Sequence, residues 1–169
     1  MLKGNKIKNI GIYHRKDPET QKEAQEIIAW LKDKGYRVFQ PPFSYNIDLL
    51  IVLGGDGSLL KAARMVWPMS VPILGINFGQ LGFLTAVDKR DAKTLIEQIL
   101  KGDITDKIDK RMVVEGKVVG RNGQQGPYMA LNEVTIERGA WTHLMTLSIN
   151  VNKEKATRLR ADGLSLIHI

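Results

Sequence analysis

Apolar positions along the first hundred residues follow two alternating rhythms: short unbroken runs, and stripes at helical spacing. Asn9-Ile10-Gly11-Ile12-Tyr13 is of the first kind and predicts a strand. Asp17-Pro18 then reads as an N-cap followed by proline at the first helical position, where the missing N–H has no helical acceptor to lose. Ala24, Ile27, Ile28 and Leu31 recur at the spacing of one helix face, and Gly35 ends the helix. Tyr36 to Phe39 predicts the next strand. Asp48 to Leu53 is Leu, Ile and Val without alternation, as expected of a parallel strand buried on both faces, and Val71 to Ile76 repeats the pattern around Pro72. A second capped helix is predicted from Asp91 through Leu95, Ile96, Ile99 and Leu100 to Gly102.

Beyond about residue 103 the helical period disappears. Lys110 to Val119, Tyr128 to Glu137 and Leu144 to Asn152 are strand-like, separated by Arg121-Asn122-Gly123 and Arg138-Gly139. The expected fold class is therefore α/β: a parallel-sheet α/β domain over residues 1–102, followed by the start of a β-rich, sandwich-like domain over residues 103–169.

Composition narrows the function. At 169 residues and 43% apolar, the chain is long enough for a sizeable core and too hydrophobic for disorder. It has no cysteine, and His14, His143 and His168 are scattered, so neither a disulfide framework nor a metal-ligand spacing is present; any metal is expected to arrive with a substrate. No run approaches the roughly 20 apolar residues of a membrane span, and the N-terminus lacks a signal-peptide pattern, so a cytoplasmic location without membrane contact is expected. The net charge of +7 favours anionic partners. Basic residues are interspersed with acids and no nucleic-acid-binding motif appears, which points to small phosphorylated molecules rather than nucleic acid.

The candidate chemistry lies where the buried run ends. Gly54, Gly55 and Gly57 surround Asp56 between a strand and a helix that begins Ser-Leu-Leu-Lys-Ala-Ala-Arg. Open α/β sheets bind ligands at such junctions, and glycines let backbone N–H groups approach a phosphate beside the helix N-terminus. The loop is neither a dinucleotide-binding fingerprint nor a P-loop. Spacing alone leaves two readings open, a phosphate loop with a functional carboxylate, or a glycine-rich turn with Asp56 capping the helix. Lys61, five residues on, is a solvated lysine by default but stands close enough to meet a phosphate. His143 reads as a polar residue at a strand start. Taken singly, Asn77-Phe78-Gly79 is a tight turn before core-facing Phe83 and Leu84, Asn132-Glu133 an exposed strand pair, and Asp162-Gly163 a common turn dipeptide.

Together these stretches resemble the NAD kinase family. Leu53-Gly54-Gly55-Asp56-Gly57-Ser58 matches its glycine loop, which is shared more loosely with diacylglycerol and sphingosine kinases. Gly75-Ile76-Asn77-Phe78-Gly79-Gln80-Leu81-Gly82-Phe83-Leu84 is similar to its second block, Ala130-Leu131-Asn132-Glu133-Val134 to its Asn-Glu block, and Arg160-Ala161-Asp162-Gly163 to the Asp-Gly that follows. The order and spacing of the blocks cover nearly the whole chain.

The resemblance implies phosphorylation of the 2′-hydroxyl of the adenosine ribose of NAD, with ATP or polyphosphate as donor and Mg²⁺ or another divalent cation carried by the nucleotide. It implies Asp56 as the proton acceptor, and Asp56, Gly57, Asn132, Glu133, His143, Arg160 and Asp162 as the NAD-binding set. Gly54, Gly55, Gly57 and Lys61 would meet the phosphates, and a homo-oligomer, dimer or tetramer, is implied for the full-length protein. A lipid or sphingoid kinase of the same superfamily is the runner-up, and an inactive nucleotide-binding fragment is a third reading. After Leu164 the chain reads Ser165-Leu166-Ile167-His168-Ile169 where the family continues differently. The expectation is accordingly a truncated chain with about three strands in its second half, five final residues unrelated to the family, and poor activity that a family-like segment after Leu164 would restore.

Overall fold

Residues Leu49–Gly54 form the centre of a parallel sheet, and all six are buried, which explains why their sequence shows no alternation. The structure is a computed structural model and describes residues 7–43, 46–67, 69–79, 82, 84–85, 87–102, 108–140 and 142–167. Gln80, Leu81, Phe83, His168 and Ile169, named above, lie outside the described residues. The chain divides into two compact units, Met1–Lys110 and Arg111–Ile169.

The first unit runs β1 (Asn9–His14), α1 (Pro18–Asp33), β2 (Arg37–Phe39), β3 (Leu49–Gly54), α2 (Asp56–Val66), β4 (Ile73–Asn77), β5 (Val87–Asp88), a 3₁₀ turn (Lys89–Asp91) and α3 (Ala92–Lys101). The strands form one parallel sheet in the order β2-β1-β3-β4-β5. Leu49, Ile51 and Leu53 join Ile27 and Leu31 of α1 and Ile96 of α3 in one buried cluster. Because side chains alternate along a strand, Leu50 and Val52 face the other way, towards the side where Leu59 of α2 packs over Gly75 of β4. Both faces are thereby covered. The chain leaves β1 towards β2 and returns beyond β1 to β3, so the strand order reverses between β1 and β3. In open α/β sheets the crevice beyond the carboxyl ends of such a pair is where ligands bind.

The capping signals act as their chemistry requires at Asp17 and Gly102, whereas Asp91 is the N-cap of α3 without a side-chain cap bond. Asp17 accepts from Thr20 N at 3.0 Å, with Pro18 opening α1, and α3 closes on Gly102 in the left-handed region. Asp17 also accepts from Arg15 Nε at 2.7 Å. The Arg15 hydrogen bond, with the Thr20 N–H after it, holds the Asp17 carboxyl well below the usual carboxylate range. A carboxyl depressed on folding stabilises the folded state fully above about pH 4, where the unfolded chain is ionised too, and this contribution fades as the pH falls towards the folded value. Asp17→Asn keeps a capping oxygen and removes the titration. Its expected result is a shallower loss of Tm below about pH 4, followed by circular dichroism at stepped pH; a wild-type slope would contradict the assignment.

The second unit corrects the expectation of about three strands. Its described residues form six, β6 (Val114–Gly120), β7 (Gly123–Ala130), β8 (Glu133–Glu137), β9 (Met145–Val151), β10 (Glu154–Ala161) and β11 (Gly163–Ile167), paired antiparallel as β6-β7, β9-β10 and β8-β11. The stretch Tyr128 to Glu137 is two strands because Leu131 and Asn132 bend the chain from the β6 ladder to the β11 ladder. Ser165 to Ile167, expected to be unrelated, pair with Thr135 to Glu133. Among the described residues of this unit only Ala130 is buried.

Candidate functional site

The crevice of the first unit is built from four chain segments at the carboxyl ends of β1, β3 and β4. Gly54 ends β3 with φ at 155°, and a Cβ there would collide with Ser58 one turn into α2, so the strand enters the helix this sharply only with glycine. Gly55 is the N-cap of α2 and makes no side-chain cap bond. Asp56 is the first helical residue, which corrects the capping alternative: its carboxylate turns away from the helix. Asp56 Oδ1 accepts from Leu84 N at 3.0 Å and Thr85 N at 3.2 Å. Any Cβ at Gly82 would overlap this carboxylate.

Thus the two glycine-rich blocks, 28 residues apart at Asp56 and Leu84, meet through one side chain. Phe78 N donates to Gly54 O at 3.3 Å, and Asn77 Nδ2 donates to Gly79 O at 3.3 Å, closing the floor between β3 and β4. In the first turn of α2 the Ser58 and Leu59 N–H groups donate to Gly55 O at 2.9 and 3.2 Å, while those of Asp56 and Gly57 precede the first helical acceptor, at the helix end that favours an anion. Gly57 is open, with nothing within 4 Å of where its Cβ would stand, and Lys61 is exposed one turn further along α2.

Arg15 and the backbone amides of Leu84 and Thr85 belong to this crevice and were absent from the sequence reading. The only signal for Arg15 is a cation directly after a strand end. The Leu84 and Thr85 amides carry no side-chain signature at all.

The remaining candidates lie in the second unit. Asn132 is exposed in the bend before β8. Glu133, at the start of β8, accepts from Ser165 Oγ of β11. His143 is exposed in the bend before β9, and Arg160 stands opposite Thr146 in the β9-β10 ladder. Asp162 sits between β10 and β11, where its Oδ1 lies 2.6 Å from Arg138 Nε and its carbonyl accepts from Arg138 N at 3.0 Å. Backbone and side chain thereby tie the β10-β11 junction to the residue that follows β8. Among the described residues no three His, Asp or Glu side chains gather as metal ligands, and no helix is long and apolar enough to cross a membrane.

Residues 38–104, which contain the whole β3-α2-β4 crevice, match the family model of the ATP-NAD kinase N-terminal domain. The NAD kinase of Syntrophotalea carbinolica is 34% identical over 94% of this chain and 61% of its own length, and that of Symbiobacterium thermophilum is 40% identical over 70% of this chain and 41% of its own. Over residues 38–104 the chain matches the NAD kinase family, and along nearly its whole length it is similar to NAD kinases.

Solved structures of NAD kinases share the fold. Yeast NADH kinase, solved with NADH, superposes with a TM-score of 0.82 at 23% identity over 96% of this chain and 57% of that one. The NAD kinase of Archaeoglobus fulgidus, solved with ATP, superposes at 0.68 and 20% identity over 94% and 60%. The chain therefore spans 61% or less of the relatives and structures described here.

Proposed function

We propose that this chain is a NAD kinase that transfers the terminal phosphoryl group of ATP to the 2′-hydroxyl of the adenosine ribose of NAD, giving NADP and ADP. The observation that carries the reading is Asp56, a carboxylate held at the switch-point crevice by the backbone of the second glycine-rich block, within the stretch that matches this family. The hydroxyl proton passes to the Asp56 carboxylate as the oxygen attacks the terminal phosphorus and ADP leaves. Gly54, Gly55 and Gly57 offer close backbone approach to the phosphates, and Lys61 a cation beside them. Mg²⁺ enters as the counter-ion of the nucleotide and so as part of that substrate.

In the second unit, Asn132 and Glu133 are assigned to the adenosine part of NAD, with His143, Arg160 and Asp162 contacting the dinucleotide elsewhere. Ser165 supports this role for Glu133 by fixing its carboxylate on β8.

Because any side chain at position 82 would displace the Asp56 carboxylate, Gly82→Ala is expected to lower NADP formation by about tenfold to a hundredfold, the usual penalty for a slightly misplaced catalytic group. Turnover compared with near-ultraviolet circular dichroism checks it. Wild-type turnover would show that the carboxylate and the loop do not act together.

The reading as a whole is tested by offering NAD and diacylglycerol vesicles in parallel with ATP labelled at its terminal phosphate. Label is expected in NAD. Label in lipid alone would overturn the reading in favour of a lipid kinase.

A further inference from the structure

A second cation at this crevice has no role in the scheme above. Arg15 follows β1 directly, and its N–H donates to Leu53 O at 2.9 Å, which extends the β1-β3 ladder to the edge of the switch point. Its Cβ lies 3.5 Å from where a Cβ of Gly54 would stand, and its Nη1 lies 3.7 Å from the corresponding position at Gly79. The side chain therefore runs from beside Gly54, at the end of β3, to beside Gly79, just beyond the end of β4.

Its orientation is fixed from behind. Nε donates to Asp17 Oδ2 at 2.7 Å, while Asp17 Oδ1 accepts from Thr20 N at 3.0 Å, so the carboxylate that holds the arginine is itself locked as the cap of α1. An ordinary surface ion pair would account for the Nε contact. It does not account for the two Nη groups, which make no hydrogen bond to a described residue, with Nη1 beside the position kept bare by Gly79. The side chain remains 47% exposed, open to a ligand. A planar cation anchored at Nε and presenting its remaining donors is the geometry that receives phosphate oxygens.

We infer that Arg15, positioned by Asp17, binds a phosphate group of one of the two nucleotides in the β1-β3 crevice. This assignment rests on the NAD kinase reading for the identity of the nucleotides. The phosphate chain of the donor and the pyrophosphate of NAD share the recognised chemistry, and the test separates them.

The full chain is titrated calorimetrically with inorganic tripolyphosphate and, separately, with NAD. Arg15→Met is expected to weaken one of the two by about tenfold to a hundredfold, the loss typical of charge-assisted hydrogen bonds. Arg15→Lys, which keeps the charge and the folded pairing with Asp17 but loses the fork, is expected to weaken the same ligand by a smaller factor. Lys89→Met removes one positive charge from the Glu19 ion pair and is expected to change neither. Unchanged binding of both ligands in Arg15→Met and Arg15→Lys overturns the assignment, as does an equal loss in Lys89→Met, which would reduce the effect to net charge. Wild-type chain that binds neither ligand overturns it too. Arg15-dependent binding of tripolyphosphate without phosphoryl transfer to NAD would uphold the phosphate site and refute the kinase reading.

Discussion

On the proposed reaction, Asp56→Asn is expected to slow NADP formation by at least about a hundredfold while the fold persists. The substitution is nearly isosteric, and an asparagine Oδ1 still accepts from Leu84 N and Thr85 N, so the crevice keeps its shape. What disappears is the proposed acceptor for the ribose proton, a contribution of general base catalysis that usually amounts to two to four orders of magnitude. Asp56→Ala is a harsher change, because it strands two partly buried backbone donors and so mixes a structural loss with the catalytic one. Turnover and circular dichroism of the asparagine variant, taken together, decide the matter. Near-normal NADP formation with an intact spectrum would leave Asp56 as a structural anchor for residues 84–85 and remove the base from the mechanism.

Ile51→Ala is expected to destabilise the first unit by about 2–5 kcal/mol, the cost of lost burial plus the cavity left behind. Ile51 is fully buried at the middle of β3, registered with Ile12 on one side and Leu74 on the other, in the cluster shared with α1 and α3. Its neighbours belong to a close-packed sheet and two helices, which limits their collapse into the space. Since β3 carries Gly54 to Asp56 at its end, loosening its centre also loosens the crevice. Amide exchange in β3 during urea titration measures the change; a shift under about 1 kcal/mol would contradict so complete a burial.

The first unit was legible because its signals are local. The run Asp48 to Leu53, the Asp17-Pro18 cap and the stripe from Ala24 to Leu31 each specify an element through its own neighbours, and the structure returns β3 and α1 within a residue or two. The second unit was harder to read because its strands are mostly exposed and their apolar alternation is weak. The Asn152-Lys153 turn has both residues at positive φ without a glycine, so β10 lacked the hairpin signal that would have announced it. At the site, the motif residues were visible as types and spacings, whereas the union of Asp56 with Gly82, Leu84 and Thr85 is a property of tertiary folding. Arg15 illustrates the same limit: only the β1-β3 pairing brings it beside Gly54 and Gly79.

The most direct test of the account is a single-turnover reaction with the chain in excess over NAD and with ATP present, followed by phosphorus and proton magnetic resonance of the product. An excess of protein reveals one transfer per site even from a slow enzyme. A new phosphomonoester coupled to the 2′ proton of the adenosine ribose, formed together with ADP, is expected. Inorganic phosphate as the sole new phosphorus species, or a phosphate at any other hydroxyl, would contradict it.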